Sequence, residues 1–231
     1  MNLLPKPFSA LIIGSSGTIG SHFVKLLESH PSCAKVIGIH RKSEHAIDYH
    51  YPETIESSAS SLAELGPFQL IINTIGVLHS EQWMPEKKSD DLNISQLTEM
   101  FNTNTIGPAL TIKHFSKLLD PKHGVMATLS AKVGSIEDNR LGGWYSYRAS
   151  KAALNMIIKT ASIEFARTKP NTALIALHPG TVNSDLSQPF RGQQIGRDPQ
   201  DAVSDMLKIL ANVKKEDSGS FLTYSGEKLP W

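Results

Sequence analysis

A glycine-rich turn near the start of the chain constrains the fold more than any other feature. Gly14, Gly17 and Gly20 follow the apolar run 8–13 and lead into helical periodicity over residues 20–28. Glycine permits positive φ and close backbone approach, and a helix N-terminus attracts anions. In a strand–turn–helix unit of an α/β sheet, such a turn binds the pyrophosphate of a dinucleotide. The residues expected around that ligand are Gly14, Ser16, Gly17, Thr18, Ile19 and Gly20.

Apolar strands and periodic helices alternate along the rest of the chain, which predicts a parallel sheet covered by helices on both faces. We expect one Rossmann-type, doubly wound α/β domain over residues 1–231, with a mostly parallel sheet of about seven strands. Gly107 and Pro108 are expected to interrupt the long helical stretch, because proline lacks an amide donor and restricts the preceding residue. The predicted strands are 8–13, 35–39, 68–75, 125–129, 172–177 and 219–224, and the predicted helices are 20–28, 54–65, 94–119, 144–168 and 199–213.

Charge and composition argue against several classes of protein. Lysine and arginine number 23 against 22 aspartate and glutamate, a net charge of +1, so no nucleic-acid partner is expected. No run approaches the roughly 18 apolar residues of a membrane span, and residues 1–7 are too short and proline-broken for a secretory signal. The single cysteine, Cys33, fits a reducing compartment, so we expect a cytoplasmic protein. The histidines lack zinc-type spacing, and no metal is expected.

Tyr147 and Lys151 lie four residues apart in a stretch of helical character, which puts both side chains on one helix face. A positive charge beside a phenol favours the phenolate and is expected to lower the tyrosine pKa. Such a pair suits chemistry in which a proton and a hydride reach a carbonyl together. The same spacing recurs at Tyr224 and Lys228, but Gly226 between them indicates a strand end and turn there.

The end of the second predicted strand indicates the choice of coenzyme. An acid there would accept from a ribose hydroxyl, whereas a base accommodates a 2′-phosphate. The segment carries Arg41 and Lys42 with no acid before Glu44, and a guanidinium can bind phosphate through two donors. We therefore predict a preference for NADP(H) over NAD(H).

Several motifs in order resemble those of the short-chain dehydrogenase/reductase family, over residues 10–231. Within this resemblance, residues 142–155, the run 178–182 and the final 229–231 are similar to the C-factor-like branch. The resemblance implies a carbonyl or alcohol substrate and a homodimer or homotetramer built through the long helices. Its motifs are the glycine turn, Asn73 to Gly76, Asn104, Ser130, the Tyr147/Lys151 pair and Pro179-Gly180.

The resemblance also implies catalytic roles. Tyr147 would be the acid in reduction and the base in oxidation, and Lys151 would hold the nicotinamide ribose and lower the Tyr147 pKa. Asn104 would help hold a water that relays protons to the lysine. Ser130 would grip the substrate carbonyl, since it directly follows a strand. The family's Ser-x-x-Gly pattern falls on Ala131 instead, however, and Ser135 stays an alternative for the catalytic serine.

Further positions are implied to surround the coenzyme. Asn73 and Gly76 would stabilise the sheet beside the adenine ribose, and Asp48, after a third short strand, would meet the adenine. Pro179, Val182 and Ser184 would lie against the nicotinamide carboxamide. The family's usual fifth-place glycine in the turn is Thr18 here, with Gly17 one position earlier, so the contacts to the pyrophosphate are expected to differ in detail.

The pattern as a whole indicates an NADP(H)-dependent carbonyl reductase or alcohol dehydrogenase. A C-factor-like signalling protein with incidental turnover is the alternative, and an extended-type lyase or epimerase is disfavoured because no separate C-terminal substrate domain is predicted. Residues 183–197 are expected to form a lid over the substrate. The side chains expected to line the substrate pocket are Trp144, Tyr145, Leu186 and Phe190.

Overall fold

The computed structural model describes residues 4–231, and the strands among them form one parallel sheet. Its strands are β1 Phe8–Ile13, β2 Cys33–Ile39, β3 Leu70–Asn73, β4 Gly124–Leu129, β5 Thr172–His178 and β6 Ser220–Thr223. They lie in the order β2-β1-β3-β4-β5-β6, and each neighbouring pair is parallel. The direction of winding therefore reverses between β1 and β3, and a crevice opens at the carboxyl ends of these two strands.

Helices cover both faces of this sheet. They are α1 Thr18–Glu28, α2 Glu53–Ser61, α3 Ile94–Phe101, α4 Gly107–Phe115, α5 Tyr145–Thr168, α6 Gly192–Ile195 and α7 Pro199–Ala211. No helix among residues 4–231 is long and apolar enough to cross a membrane.

Two buried clusters lie on opposite faces of the sheet, because successive strand residues point in opposite directions. Leu11 and Ile13 of β1 face the cluster formed with α2, α4 and α5. Ala10 and Ile12 face the cluster formed with α1 and α7. The doubly wound arrangement expected from the sequence is confirmed.

The number of strands differs from the prediction. The described residues form six strands rather than about seven, and the short strand expected between β2 and Asp48 is absent from them. The main chain there bonds to side chains of α2 instead of a neighbouring strand. The Asp48 amide donates to Thr54 Oγ1 at 2.9 Å, and Ser58 Oγ donates to the His45 carbonyl oxygen at 3.0 Å.

The predicted helix 94–119 is also different in detail. Gly107 and Pro108 do not interrupt it, because they form the first residues of α4, where a missing proline donor costs little. The irregularity lies one turn earlier, where residues Asn102–Ile106 form a π-helical turn between α3 and α4. Such wide turns are common at functional sites, and this one contains Asn104.

Candidate active site

Helix α5 begins with unusual backbone geometry. Gly142, Gly143 and Trp144 have φ angles of 64°, 63° and 54°, all in the left-handed region. Glycine adopts this region freely, whereas a bulky residue such as Trp144 is held there under strain. Strain of this kind needs a firm anchor, and the loop before α3 provides one.

That anchor is Glu86, a residue that no sequence motif singles out. Its carboxylate is buried and accepts hydrogen bonds from the Ser146 amide at 3.3 Å and from the Ser146 hydroxyl. Its carbonyl oxygen accepts from the Trp144 amide at 2.5 Å. Trp144 supplies no side-chain cap. The Glu86 carboxylate, distant in sequence, instead accepts from the Ser146 amide and complements the dipole at the start of α5.

Tyr147 and Lys151 lie in the first two turns of α5 and line the same cavity. Their side chains are 7% and 4% exposed, and Lys151 Nζ lies 5.9 Å from the centre of the Tyr147 ring. Nζ also donates to the carbonyl oxygen of Leu129 at 3.0 Å. The helical spacing predicted from the sequence therefore brings the phenol and the ammonium to one face.

The pKa of Tyr147 does not follow the expectation. Burial raises the pKa of Tyr147 above its ordinary value, rather than Lys151 lowering it, and burial lowers the pKa of Lys151 to about 8. In this structure desolvation outweighs the nearby positive charge, because each group is almost closed off from solvent.

Ser130 and Ser135 occupy different surroundings. Ser130 follows β4, lines the same cavity as Tyr147, and its hydroxyl donates to Asn155 Oδ1 at 2.6 Å. Ser135 Oγ instead donates to the carbonyl oxygen of Trp231 at 3.3 Å and accepts from the Asp138 amide. It does not line the cavity that holds Tyr147.

Asn104 projects from the π-helical turn toward the start of the loop after β3. Its Oδ1 accepts from the Val77 amide, and its Nδ2 donates to the Val77 carbonyl oxygen, each at 2.9 Å. Nδ2 also donates to Ser150 Oγ at 3.2 Å. A Cβ added to Gly76 would lie 3.4 Å from Asn104 Oδ1 and 3.5 Å from Lys151 Nζ. Gly76 thus separates the asparagine from the lysine and leaves both close to the cleft.

The glycine turn is packed as a ligand cradle. A Cβ on Gly20 would come within 2.8 Å of both the Gly14 carbonyl carbon and Thr74 Oγ1. Gly14 itself has a φ of 87°. By contrast, a Cβ on Gly17 would make only an ordinary contact, 3.5 Å from the Gly14 carbonyl oxygen, and Gly17 lines the cavities on both sides of the turn. Amides at the start of α1 and a surface without side chains suit the pyrophosphate of a dinucleotide, so the residues present fit this group.

Two cavities extend from the turn along the crevice. The first, of about 360 Å³, is lined by three of the residues predicted at the adenine end, Arg41, Asp48 and Gly76. The second, of about 250 Å³, contains Tyr147, Lys151 and Ser130. All but two of the residues predicted to contact the coenzyme line one or both of these cavities. Ser16, Arg41, Asp48 and Gly76 line the first, and Thr18, Ile19, Gly20, Gly76, Pro179 and Ser184 line the second.

The two exceptions are Asn73 and Val182. Asn73 is fully buried below the crevice, where its Nδ2 donates to Tyr49 Oη at 2.8 Å and its Oδ1 accepts from the Ile75 amide. Tyr49 also shares a hydrogen bond with Thr111 Oγ1, and a Cβ on Gly107 would overlap its ring. This buried network, which the sequence did not indicate, fixes the loop after β3. Val182 lines a third cavity instead.

The third cavity, of about 620 Å³, opens beside Tyr147 and Ser130. Its wall contains Trp144, whose ring centre lies 4.9 Å from that of Phe190 and 6.1 Å from that of Tyr147. Leu186 lines it as predicted, but Tyr145 does not and is instead exposed. The cavity is therefore apolar and aromatic on the side facing Tyr147.

The segment predicted as a lid is tied together at both ends. The Asn183 amide donates to the Arg197 carbonyl oxygen at 2.9 Å, and the Arg197 amide donates to the Thr181 carbonyl oxygen at 2.8 Å. Ser187 Oγ donates to the carbonyl oxygen of Val182 at 2.5 Å. Residues 183–197 therefore form a compact, internally bonded wall that includes α6.

The second Tyr-x-x-x-Lys spacing lies away from these groups. Tyr224 lies in the turn after β6, with the Arg197 guanidinium 4.0 Å from its ring centre. Lys228 pairs with Asp217 at 3.5 Å. The interpretation of this pair as a strand end and turn is confirmed.

Comparisons with known proteins agree with this arrangement. The family model of short chain dehydrogenases matches residues 46–195. The chain is 32% identical over 189 residues to the 1-hydroxy-2-glutathionyl-2-methyl-3-butene dehydrogenase of Rhodococcus sp., covering 81% of this chain and 80% of that protein. It is also 32% identical over 167 residues to the C-signal protein of Myxococcus xanthus, covering 72% of this chain and 94% of that protein.

Among solved structures, the NADPH-bound carbonyl reductase from chicken fatty liver superimposes with a TM-score of 0.83 at 26% identity, covering 98% of this chain and 100% of that one. The match to the C-signal protein supports the C-factor-like branch proposed from the sequence. The chain belongs to the short-chain dehydrogenase/reductase family of NAD(P)-dependent oxidoreductases.

Proposed function

We propose that this protein is an NADP(H)-dependent carbonyl reductase or alcohol dehydrogenase acting on a small molecule. One observation carries the proposal: Tyr147, Lys151 and Ser130 line a single cavity between the glycine turn and the aromatic third cavity. A coenzyme along the turn and a substrate beside Trp144 would therefore meet at these three side chains.

Bound NADPH would supply a hydride at its nicotinamide ring, and the chain's own residues would act on the carbonyl oxygen. Tyr147 is the proposed acid: burial raises its pKa, so the phenol carries its proton at neutral pH and gives it up only as negative charge develops on the carbonyl oxygen. Lys151, with a pKa of about 8, is positively charged at pH 7 and would hold the nicotinamide ribose. Ser130 would donate a hydrogen bond to the same carbonyl oxygen.

Asn104 is proposed as the organiser of a proton path to Lys151. Its side chain bonds to Val77 and Ser150, and a Cβ on Gly76 would lie 3.4 Å from its Oδ1 and 3.5 Å from Lys151 Nζ. The proposed coenzyme contacts are those named for the two cavities, with Val182 and Ser184 beside the nicotinamide end. Asn73 would act from beneath, by holding the loop after β3.

The preference for NADP(H) is supported by Arg41, which lines the first cavity, at the predicted adenine end, together with Ser16. Replacing Arg41 by alanine should lower kcat/KM for NADPH roughly 10- to 100-fold, because a hydrogen bond to a charged group contributes about 1.5–3 kcal/mol. The value for NADH should change little. Lys42→Ala is the matched control, since Lys42 does not line the cavity. A wild-type enzyme that prefers NADH would contradict the assignment.

The reaction itself is tested with a panel of aldehydes, ketones and diketones, followed by loss of NADPH absorbance. Wild-type protein should turn over at least one of them, and Tyr147→Phe should show none. Tyr147 is buried at the end of a cavity, and the ring of phenylalanine keeps its packing. Full activity in Tyr147→Phe, with an unchanged Tm, would rule out the proposed acid.

A second candidate is a C-factor-like signalling role in which turnover is incidental, favoured by the match to the C-signal protein. The two functions separate in a deletion strain of the source organism. A folded Tyr147→Phe protein that rescues the deletion strain, returning it to the wild-type phenotype, would favour signalling. Failure of this variant to rescue the strain would favour catalysis.

We also propose a homodimer or homotetramer formed through the long helices. Ile106, Met156 and Ile163 expose apolar side chains on the helical stretch around Asn104 and on α5. Light scattering on the purified protein tests the oligomer, and Met156→Glu should shift it toward the monomer. The cytoplasmic location stays a prediction.

A further inference from the structure

Asn155 lies one turn beyond Lys151 and repeats the four-residue spacing of the pair. Tyr147, Lys151 and Asn155 therefore share one face of α5. Asn155 is 3% exposed, and its Oδ1 accepts the hydroxyl hydrogen of Ser130 at 2.6 Å. Its Nδ2 is buried and has no hydrogen-bond partner among the described residues. No role is assigned to this residue by the reaction described above.

The direction of this hydrogen bond matters for Ser130. A serine hydroxyl carries one hydrogen, so Ser130 cannot donate to Asn155 and to a substrate oxygen at the same time. A substrate carbonyl has no hydrogen to give, and it therefore requires Ser130 as the donor. The arrangement with Asn155 as acceptor withholds that donor.

A half-turn of the Asn155 carboxamide removes the conflict. The two ends of a carboxamide have almost the same shape, so the turn changes the packing little. It would bring Nδ2 to Ser130 Oγ and free the serine hydrogen. It would also leave a buried carbonyl oxygen unpaired in place of a buried amino group, and proteins tolerate unpaired oxygens better than unpaired donors.

We propose that Asn155 is a positioning residue that donates from Nδ2 to Ser130 Oγ and thereby directs the serine hydrogen toward the substrate carbonyl. This inference rests on the proposed function of Ser130. Asn155 does not touch the substrate and acts only through Ser130.

Kinetics of two variants test the proposal. Asn155→Asp keeps the volume but, when ionised, only accepts, so it holds the serine hydrogen away from the substrate. We expect kcat to fall roughly 30- to 300-fold with little change in KM, as when one donor to a developing oxyanion is removed. Asn155→Leu removes both acceptor and donor and leaves the serine hydrogen free, so its loss should be less than about tenfold.

A double-mutant cycle separates positioning from a structural effect. In a Ser130→Ala background, Asn155→Asp should lower kcat no further, because the hydroxyl that it misdirects is gone. An equal fall in both backgrounds, or a fall that follows the loss in Tm across the variants, would overturn the proposal.

Nuclear magnetic resonance gives a readout that needs no turnover. The side-chain amide signal of Asn155, identified by its loss in Asn155→Asp, should exchange slowly with solvent in wild type and shift in Ser130→Ala. An identical signal in both proteins would refute the donor role of Nδ2. If no carbonyl compound is reduced, the proposed function fails, and this measurement still decides the hydrogen-bond direction.

Discussion

Replacing Gly20 with alanine is the most direct test of the coenzyme cradle. Gly20 lies in the first turn of α1, where its backbone is compatible with alanine, so the effect comes from space alone. The new Cβ would overlap the Gly14 carbonyl oxygen and would stand 2.8 Å from both the Gly14 carbonyl carbon and Thr74 Oγ1. Non-bonded carbon atoms prefer about 3.5–4.0 Å, so the turn must move by roughly 0.7 Å or more. Overpacking against backbone costs about 3 kcal/mol.

For a domain of this size, such a loss lowers Tm by about 6–12 °C. Thermal unfolding followed by circular dichroism measures that change, and quenching of tryptophan fluorescence measures NADPH binding. Gly17→Ala is the matched control, since its Cβ would meet only the Gly14 carbonyl oxygen at 3.5 Å. Its Tm should stay within about 2 °C of wild type, while NADPH affinity falls roughly tenfold or more, a loss of about 1.4 kcal/mol. A Gly20→Ala protein with wild-type Tm and NADPH affinity would refute the cradle.

Three further changes probe the reacting groups and the helix that carries them. Ser130→Ala should lower kcat/KM roughly 100-fold while Ser135→Ala stays near wild type, and the reverse pattern would make Ser135 the catalytic serine. The kcat/KM profile should fall as pH rises past about 8, where Lys151 loses its proton; a flat profile up to pH 10 would contradict a required ammonium. Glu86→Ala removes the acceptor at the start of α5 and should lower Tm by about 2–8 °C, so an unchanged Tm would show that the cap contributes nothing.

The local parts of the site could be predicted from the sequence, because they depend on spacing within one element. The Tyr147/Lys151 pair follows from helical periodicity, and the glycine turn follows from the conformational freedom of Gly14 and the space required at Gly20. Each requires only that the predicted helix or turn should form, and each does.

The parts that could not be predicted depend on contacts between distant segments. Glu86 caps a helix 60 residues later in the chain, and Tyr49 bonds to Asn73 and Thr111 below the crevice. Neither carries a local signal. The strand expected directly before Asp48 does not form, for a similar reason. Side chains of α2 make hydrogen bonds to the main-chain groups that a strand would have paired with its neighbour.

The π-helical turn holds one residue more than a regular α-helix would need between α3 and α4. Its five residues, Asn102–Ile106, turn through about the same angle as four residues of α-helix, at about 100° each. Deleting one of them would therefore leave Ile112 and Phe115 of α4 facing the core. The deletion would instead remove the bulge that brings Asn104 to Val77. The extra residue thus serves the cleft and not the packing of the two helices, and its loss should impair turnover far more than it lowers Tm.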